Sequence, residues 1–331
     1  MMKQVQRSIL FIAVISCVFP VLAIDCDKAS SIVENTICDT PQLFWLDGLL
    51  NETYRKTMMA EETNSAVQRM QLWQRSRDAC TTNRCLRWAY LQGLSELYHV
   101  PETFSWNGVW WNTSATNGNG GKITISNANE WAFDFTGQVW SGVYKSTLRG
   151  NVRIYKGQGF TDRIAWGGKC TVLFIPRQDG KLEINSDKMG SCKLLMPGNM
   201  SIDGEYEKAV SDPRPAATLL SLGVFPSQTL DDRFRQLADK DYQQYVRVAN
   251  NVRYVEDQDD MGATVLILSL KGAANRYAAI VMYTSTGKIW AMLVTPDDSQ
   301  ENSIQLSYIT TEKGETTLPK TLTNWRNLFL N

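Results

Sequence analysis

Apolar residues recur at helical spacing in the first part of the chain. Leu43, Leu46, Leu50 and Tyr54 follow Pro41, Val67, Met70 and Trp73 come next, and Leu86, Ala89, Leu94 and Leu97 close the series. Each set falls on one face of a helix, and Pro41 suits a helix start. A second helix is expected from about Asn64, with a break between Cys80 and Cys85. Between Cys26 and Tyr98 glycine occurs only at Gly48 and Gly93, as helices prefer. Beyond Phe104 the period shortens to two, in short runs at 122–126, 131–135, 142–148, 171–176 and 181–185. Turn signals at 118–121 and at Asp179 with Gly180 separate some of them, and the whole predicts an antiparallel barrel or sandwich. Asp212, Pro213, Arg214 and Pro215 mark a stiff polar boundary. After it, helical spacing over 229–248 precedes strands at 263–270, 277–283, 288–294 and 304–310, and a closing helix over 318–329 contains Trp325.

The expectation is an α+β multidomain protein. A helical domain occupies 24–100, an antiparallel β barrel or sandwich 101–210, and an α+β domain with an antiparallel sheet 216–331.

The first 23 residues read as an export signal. Lys3 and Arg7 precede an uncharged apolar run over 9–22, and Val21 and Ala23 occupy the small-residue cleavage positions, so the mature chain is expected to start near Ile24. That run of 14 residues is shorter than the roughly 20 that span a bilayer. Val14, Ile15, Ser16 and Cys17 also fit a lipobox, which would leave a lipid anchor on Cys17 in place of a freely periplasmic protein. The remaining cysteines are spaced as three local pairs, Cys26 with Cys38, Cys80 with Cys85 and Cys170 with Cys192. Behind an export leader such spacing favours disulfides over thiol nucleophiles or zinc ligands.

Acidic and basic residues balance at 34 each, and losing Lys3 and Arg7 with the leader gives about −2. No segment concentrates the basic charge that nucleic acid requires, so membrane contact is expected only through lipidated Cys17. His99 is the sole histidine, which argues against triads and histidine-based metal sites. Glu256, Asp257, Asp259 and Asp260 lack the further ligands of a calcium loop and read as a solvated turn. The run TNGNGGK has neither the spacing nor the final Ser or Thr of a phosphate loop and reads as a hairpin turn. No metal, cofactor or catalytic group is expected. Six of the eleven tryptophans, Trp106, Trp110, Trp111, Trp131, Trp140 and Trp166, fall in the middle domain. Core packing is their expected use. A lipid or glycan cavity lined by Trp110, Trp131 and Trp140 is the alternative.

Two family resemblances add to this. DCDKASSIVENTIC, LFWLDGLLNETYR, QLWQRSRDAC and CLRWAYLQGLSEL, in that order, resemble the N-terminal domain named after the lysozyme inhibitor LprI. The resemblance covers about 75 residues and implies bridges from Cys26 to Cys38 and from Cys80 to Cys85. Further on, VLILSLKGAANRYAAIVMYTSTGKIWAMLVT is similar to a strand, loop and strand pattern of the inhibitor-of-vertebrate-lysozyme family. That family places a disulfide-closed loop with a histidine in the lysozyme cleft. Here the corresponding loop, 271–276, has neither cysteine nor histidine, so the fold is expected to persist without that contact. Together the resemblances imply an envelope protein whose partner is a lysozyme or another cell-wall hydrolase. A small-ligand carrier and an envelope assembly factor are the alternatives. Lys271, Asn275 and Arg276 are the candidate partner-binding residues.

Overall fold

The computed structural model describes residues 23–60, 63–164, 169–198, 200–297, 299–300, 303–314 and 317–330. The expected leader up to Leu22, with Cys17, and Trp166 lie outside the described residues. The chain forms two compact units, one ending at Leu94 and one starting at Ser95.

The first unit is helical: α1 (Ile32–Asp39), α2 (Pro41–Ala60), α3 (Thr63–Asp78) and the start of α4 (Asn83–Leu97). Ser31 and Glu34 close a reciprocal capping box at the head of α1. The Ser30 and Ser31 amides hold the Glu34 carboxyl down to about 2. Cys26–Cys38 ties a preceding 3-10 turn to α1, and Cys80–Cys85 spans the break between α3 and α4. Ile37, Leu43, Leu46, Leu50, Met70, Trp73, Leu86, Tyr90 and Leu91 form the buried interior. Gly93 lets the helices approach, because a Cβ there would lie 2.6 Å from the Trp73 indole and 2.7 Å from Leu50.

In the second unit eight strands follow one another up and down: β1 (Gly108–Asn112), β2 (Asn119–Ser126), β3 (Ala132–Ser141), β4 (Tyr144–Tyr155), β5 (Gln158–Thr161), β6 (Val172–Pro176), β7 (Leu182–Ser186) and β8 (Gly204–Lys208). Pairing of β1 with β8 closes the barrel. Of the two architectures expected, the chain adopts the barrel, which removes both sheet edges. Alternate residues point inward, and Trp110, Ile123, Ile125, Phe133, Phe135, Leu148, Phe174 and Tyr206 fill the interior, as eight strands allow. Cys170–Cys192 joins the segment before β6 to the segment after β7.

A five-stranded antiparallel meander follows: β9 (Asn251–Val255), β10 (Thr264–Ser269), β11 (Ala278–Tyr283), β12 (Ile289–Pro296) and β13 (Ile304–Thr310). Helices α5 (Gln228–Ala238) and α6 (Tyr242–Val248) cover one face, and α7 (Lys320–Asn327) packs on the other. Strands β11 and β12 are therefore buried on both sides and read as unbroken apolar runs, AAIVMY and IWAMLV. The helix expected over 229–248 is two helices: Asp239 adopts φ +47° and a 3-10 turn separates them. The break lets Phe234, Tyr242 and Tyr245 cluster over the sheet.

The acidic run before β10 is structural. Asp257 accepts the Asp259 and Ala263 amides. Asp259 caps α7, accepting from the Lys320 and Thr321 amides at 2.6 and 2.8 Å and from the Thr321 hydroxyl. Burial pushes the Asp259 carboxyl up, but these bonds outweigh it and hold its pKa below the ordinary value.

Candidate recognition surface

Alternate connections emerge at each end of an up-and-down barrel. At one end the β3–β4 turn, the β1–β2 connection and the loop 187–198 come together, and here the barrel meets the five-stranded sheet. Arg214 fixes the intervening linker: it forks onto Asp212 and donates to the Ala115 and Asn119 carbonyls. Asn117 donates to the Val246 and Ala249 carbonyls at the end of α6, at 2.8 and 3.2 Å. Asn250 donates to the Asn117 carbonyl and accepts from the Lys271 amide.

The Lys271 loop is thereby drawn onto the barrel. The Lys271 carbonyl accepts from the Val143 amide at 3.1 Å. Gly142, at φ +61°, has room for no side chain, since a Cβ would lie 2.2 Å from that oxygen. The neighbouring Tyr144 ring lies beside two more glycines of positive φ, Gly272 of the 271–276 loop and Gly198 of the 187–198 loop. Ser146 anchors the latter loop by donating to the Leu195 carbonyl at 2.7 Å. Within it, Asp187 accepts the Gly190 and Ser191 amides, and Cys192 is bound to Cys170. Tyr144 thus stands between two pinned loops.

The side chains there are apolar and cationic. Val143 and Tyr144 are 44% and 40% exposed, and Leu194 is 92% exposed on its loop. Lys145, Lys193 and Arg247 are exposed and Lys271 is half-buried. Among the described residues no ion pair involves Lys145, Lys193, Arg247 or Lys271. Trp140, Val143, Lys145, Arg247 and Leu270 line a cleft of about 450 Å³ at the junction. The Arg247 guanidinium lies 4.6 Å over the Tyr277 ring.

The residues singled out from sequence separate accordingly. Trp140 and Lys271 both lie at this junction, Trp140 lining its cleft and Lys271 against Gly142. Asn275 is exposed on the same loop, and Arg276 is half-buried with its Nε unpartnered among the described residues. Trp110 is 1% exposed inside the barrel, where Nε1 donates to the Trp106 carbonyl. Trp131 lies at the opposite end on the β2–β3 connection, 71% exposed on the rim of a cleft of about 640 Å³ that also contains Glu102, Trp106, Glu130, Tyr155 and Lys156. The three tryptophans therefore line no common cavity. His99 is exposed in the turn after α4, and its carbonyl accepts from Gln178.

Sequence reasoning passed over Val143, Tyr144, Lys145, Lys193, Leu194 and Arg247, which come from three separate segments of the chain. The one local signal was a valine and a tyrosine directly after Gly142, a turn residue. No family model, curated protein or solved structure matches the chain. The three disulfides point to an oxidising compartment. No helix among the described residues is long and apolar enough to cross a membrane.

Proposed function

We propose that the protein is an exported envelope component that binds a peptidoglycan-cleaving enzyme, a lysozyme or a competitor's toxin, and inhibits it by occluding the substrate cleft. The observation that carries this reading is the junction surface, where exposed Tyr144, Val143 and Leu194 lie on segments that also carry Lys145, Lys193, Arg247 and Lys271, none of which has a carboxylate partner among the described residues. Glycan-cleaving enzymes place paired carboxylates in a groove, and an exposed apolar tip accompanied by cations suits such a groove in shape and charge. Because disulfide and turn bonds pin both loops, little side-chain and backbone freedom is lost on docking. The two inhibitor-family resemblances support the same target class.

The test is inhibition of a panel of lysozymes and neighbouring cell-wall hydrolases by micromolar mature protein. A Lys145→Glu, Lys193→Glu, Lys271→Glu variant should lose inhibition at least tenfold while keeping its melting temperature. Full activity of every enzyme in the panel refutes the proposal. A second reading, glycan binding, is favoured by Trp131. Its exposed face and the Glu102 and Glu130 carboxylates of the 640 Å³ cleft suit a sugar ring stacked on indole.

A further inference from the structure

Leader cleavage is expected between Ala23 and Ile24, and the Ile24 nitrogen lies 2.9 Å from Oδ2 of Asp47. We propose that this cleavage creates a structural ion pair: the new α-ammonium of Ile24 binds Asp47 and locks the start of the mature chain onto the helical unit. In the hydrolysis, carried out by a leader peptidase, water gives its hydroxyl to the Ala23 carbonyl carbon and a proton to the Ile24 nitrogen. That amine takes up a further proton from solvent. An α-amine with an ordinary pKa of roughly 8 is charged at neutral pH.

The surroundings of Asp47 call for such a cation. Its side chain, on α2, is 1% exposed. Oδ1 accepts from the Tyr90 hydroxyl of α4 at 2.9 Å, and Oδ2 accepts from Ile24. Both donors are neutral while the leader is attached. Arg77 of α3 is the nearby cation, but its guanidinium is engaged by Asp78 at 2.7 and 2.9 Å and lies 5.2 Å over the Trp73 ring. Among the described residues no cation forms an ion pair with Asp47. Arg77 favours the carboxylate through space without bonding to it, and a buried carboxylate whose hydrogen-bond donors are all neutral is costly. Burial accordingly pushes its pKa up, against the bonds from Ile24 and Tyr90 and the through-space pull of Arg77. Replacing the Ile24 amide by an ammonium supplies a directly bonded charge at the position the nitrogen already holds. The Cys26–Cys38 bridge, two residues on, fixes the segment where the ammonium must lie.

Four oxidised proteins test this: the chain starting at Ile24, the same chain preceded by Gly-Ser, and both again with Asp47→Asn. The helical transition of the Ile24 protein should lie about 4–8 °C above that of its Gly-Ser counterpart, with no such gap in the Asp47→Asn pair. Cyanate should carbamylate the Ile24 α-amine about tenfold more slowly with Asp47 than with Asn, the effect of a one-unit rise in the amine pKa. If Asp47→Asn does not fold, the first pair decides the matter. Equal melting of that pair overturns the proposal. So does an equal gap in both backgrounds, or an exported chain whose first residue by mass spectrometry is not Ile24.

Discussion

Replacing Gly142 by alanine tests whether the β3–β4 turn holds the Lys271 loop in place. Two costs combine. A non-glycine residue in the left-handed region costs about 1–2 kcal/mol, and Gly142 sits at φ +61°. The new Cβ would also meet the Lys271 carbonyl at 2.2 Å and the Lys271 Cβ at 2.7 Å. The loop must withdraw, which breaks the bond from the Val143 amide, worth about 0.5–1.5 kcal/mol. The sum is about 1.5–3.5 kcal/mol. Gly180 is the control: it has φ +80°, and no atom lies within 4 Å of where its Cβ would sit, so Gly180→Ala carries the backbone cost alone. Urea midpoints should fall further for Gly142→Ala than for Gly180→Ala, and only the former should speed hydrogen exchange at Val143. Equal midpoint shifts, or an unchanged Val143 exchange rate, would falsify the junction argument.

Three further outcomes follow from single contacts. Asp259→Asn replaces one of two accepting oxygens by an amino group facing a donor and should weaken α7 docking by about 1–3 kcal/mol at pH 7. Because the folded pKa of Asp259 is depressed, its contribution is complete above the unfolded value and fades as pH falls through the folded one, so wild type and variant should converge in acid unfolding curves. Cys170→Ser with Cys192→Ser opens a loop of sequence separation 22 and should cost about 3 kcal/mol by denaturant titration, with a matching loss of inhibition if the 187–198 loop makes contact. Trp131→Ala should leave inhibition intact and abolish any fluorescence response to N-acetylglucosamine oligomers, whereas loss of inhibition would move the contact to the other barrel end.

Much of this architecture is legible in local patterns, and the exceptions have physical causes. The helices of the first unit show because each carries one apolar stripe, and β11 and β12 because burial on both faces demands unbroken apolar runs. Strand β9 escaped because it is a sheet edge whose Asn251, Arg253 and Tyr254 face solvent, so neither alternation nor an apolar run marks it. Gly120 and Gly121 signalled a turn but belong to β2. There they make room for the Trp140 ring and the Tyr206 hydroxyl, which would lie 2.2 and 2.5 Å from a Cβ. Asp259 showed only as charge, because its partner Thr321 is 62 residues away. The recognition surface is the extreme case: Tyr144, Gly198 and Gly272 are neighbours only after barrel and sheet have joined.

That joining rests on a few polar groups, and one isosteric change shows how. The last carbonyls of a helix lack internal partners and carry about half a negative charge. Asn117 supplies donors to the Val246 and Ala249 carbonyls at the end of α6, while Gly118, at φ +71°, leaves space for Asn250. Asn117→Ala removes two bonds and should cost about 1–3 kcal/mol. Asn117→Asp keeps the shape but sets an acceptor-only carboxylate against two carbonyls at the negative end of the helix, so it should be worse than alanine at pH 7. Its folded pKa must then rise above the unfolded value. The penalty is full above the folded pKa and vanishes below the unfolded one, so the aspartate variant should recover as pH falls toward about 4 while the alanine variant does not. An aspartate variant as stable as alanine at pH 7 would mean that the Asn117 donors do not hold α6 against the barrel, and that the pinned geometry around Tyr144 has another origin.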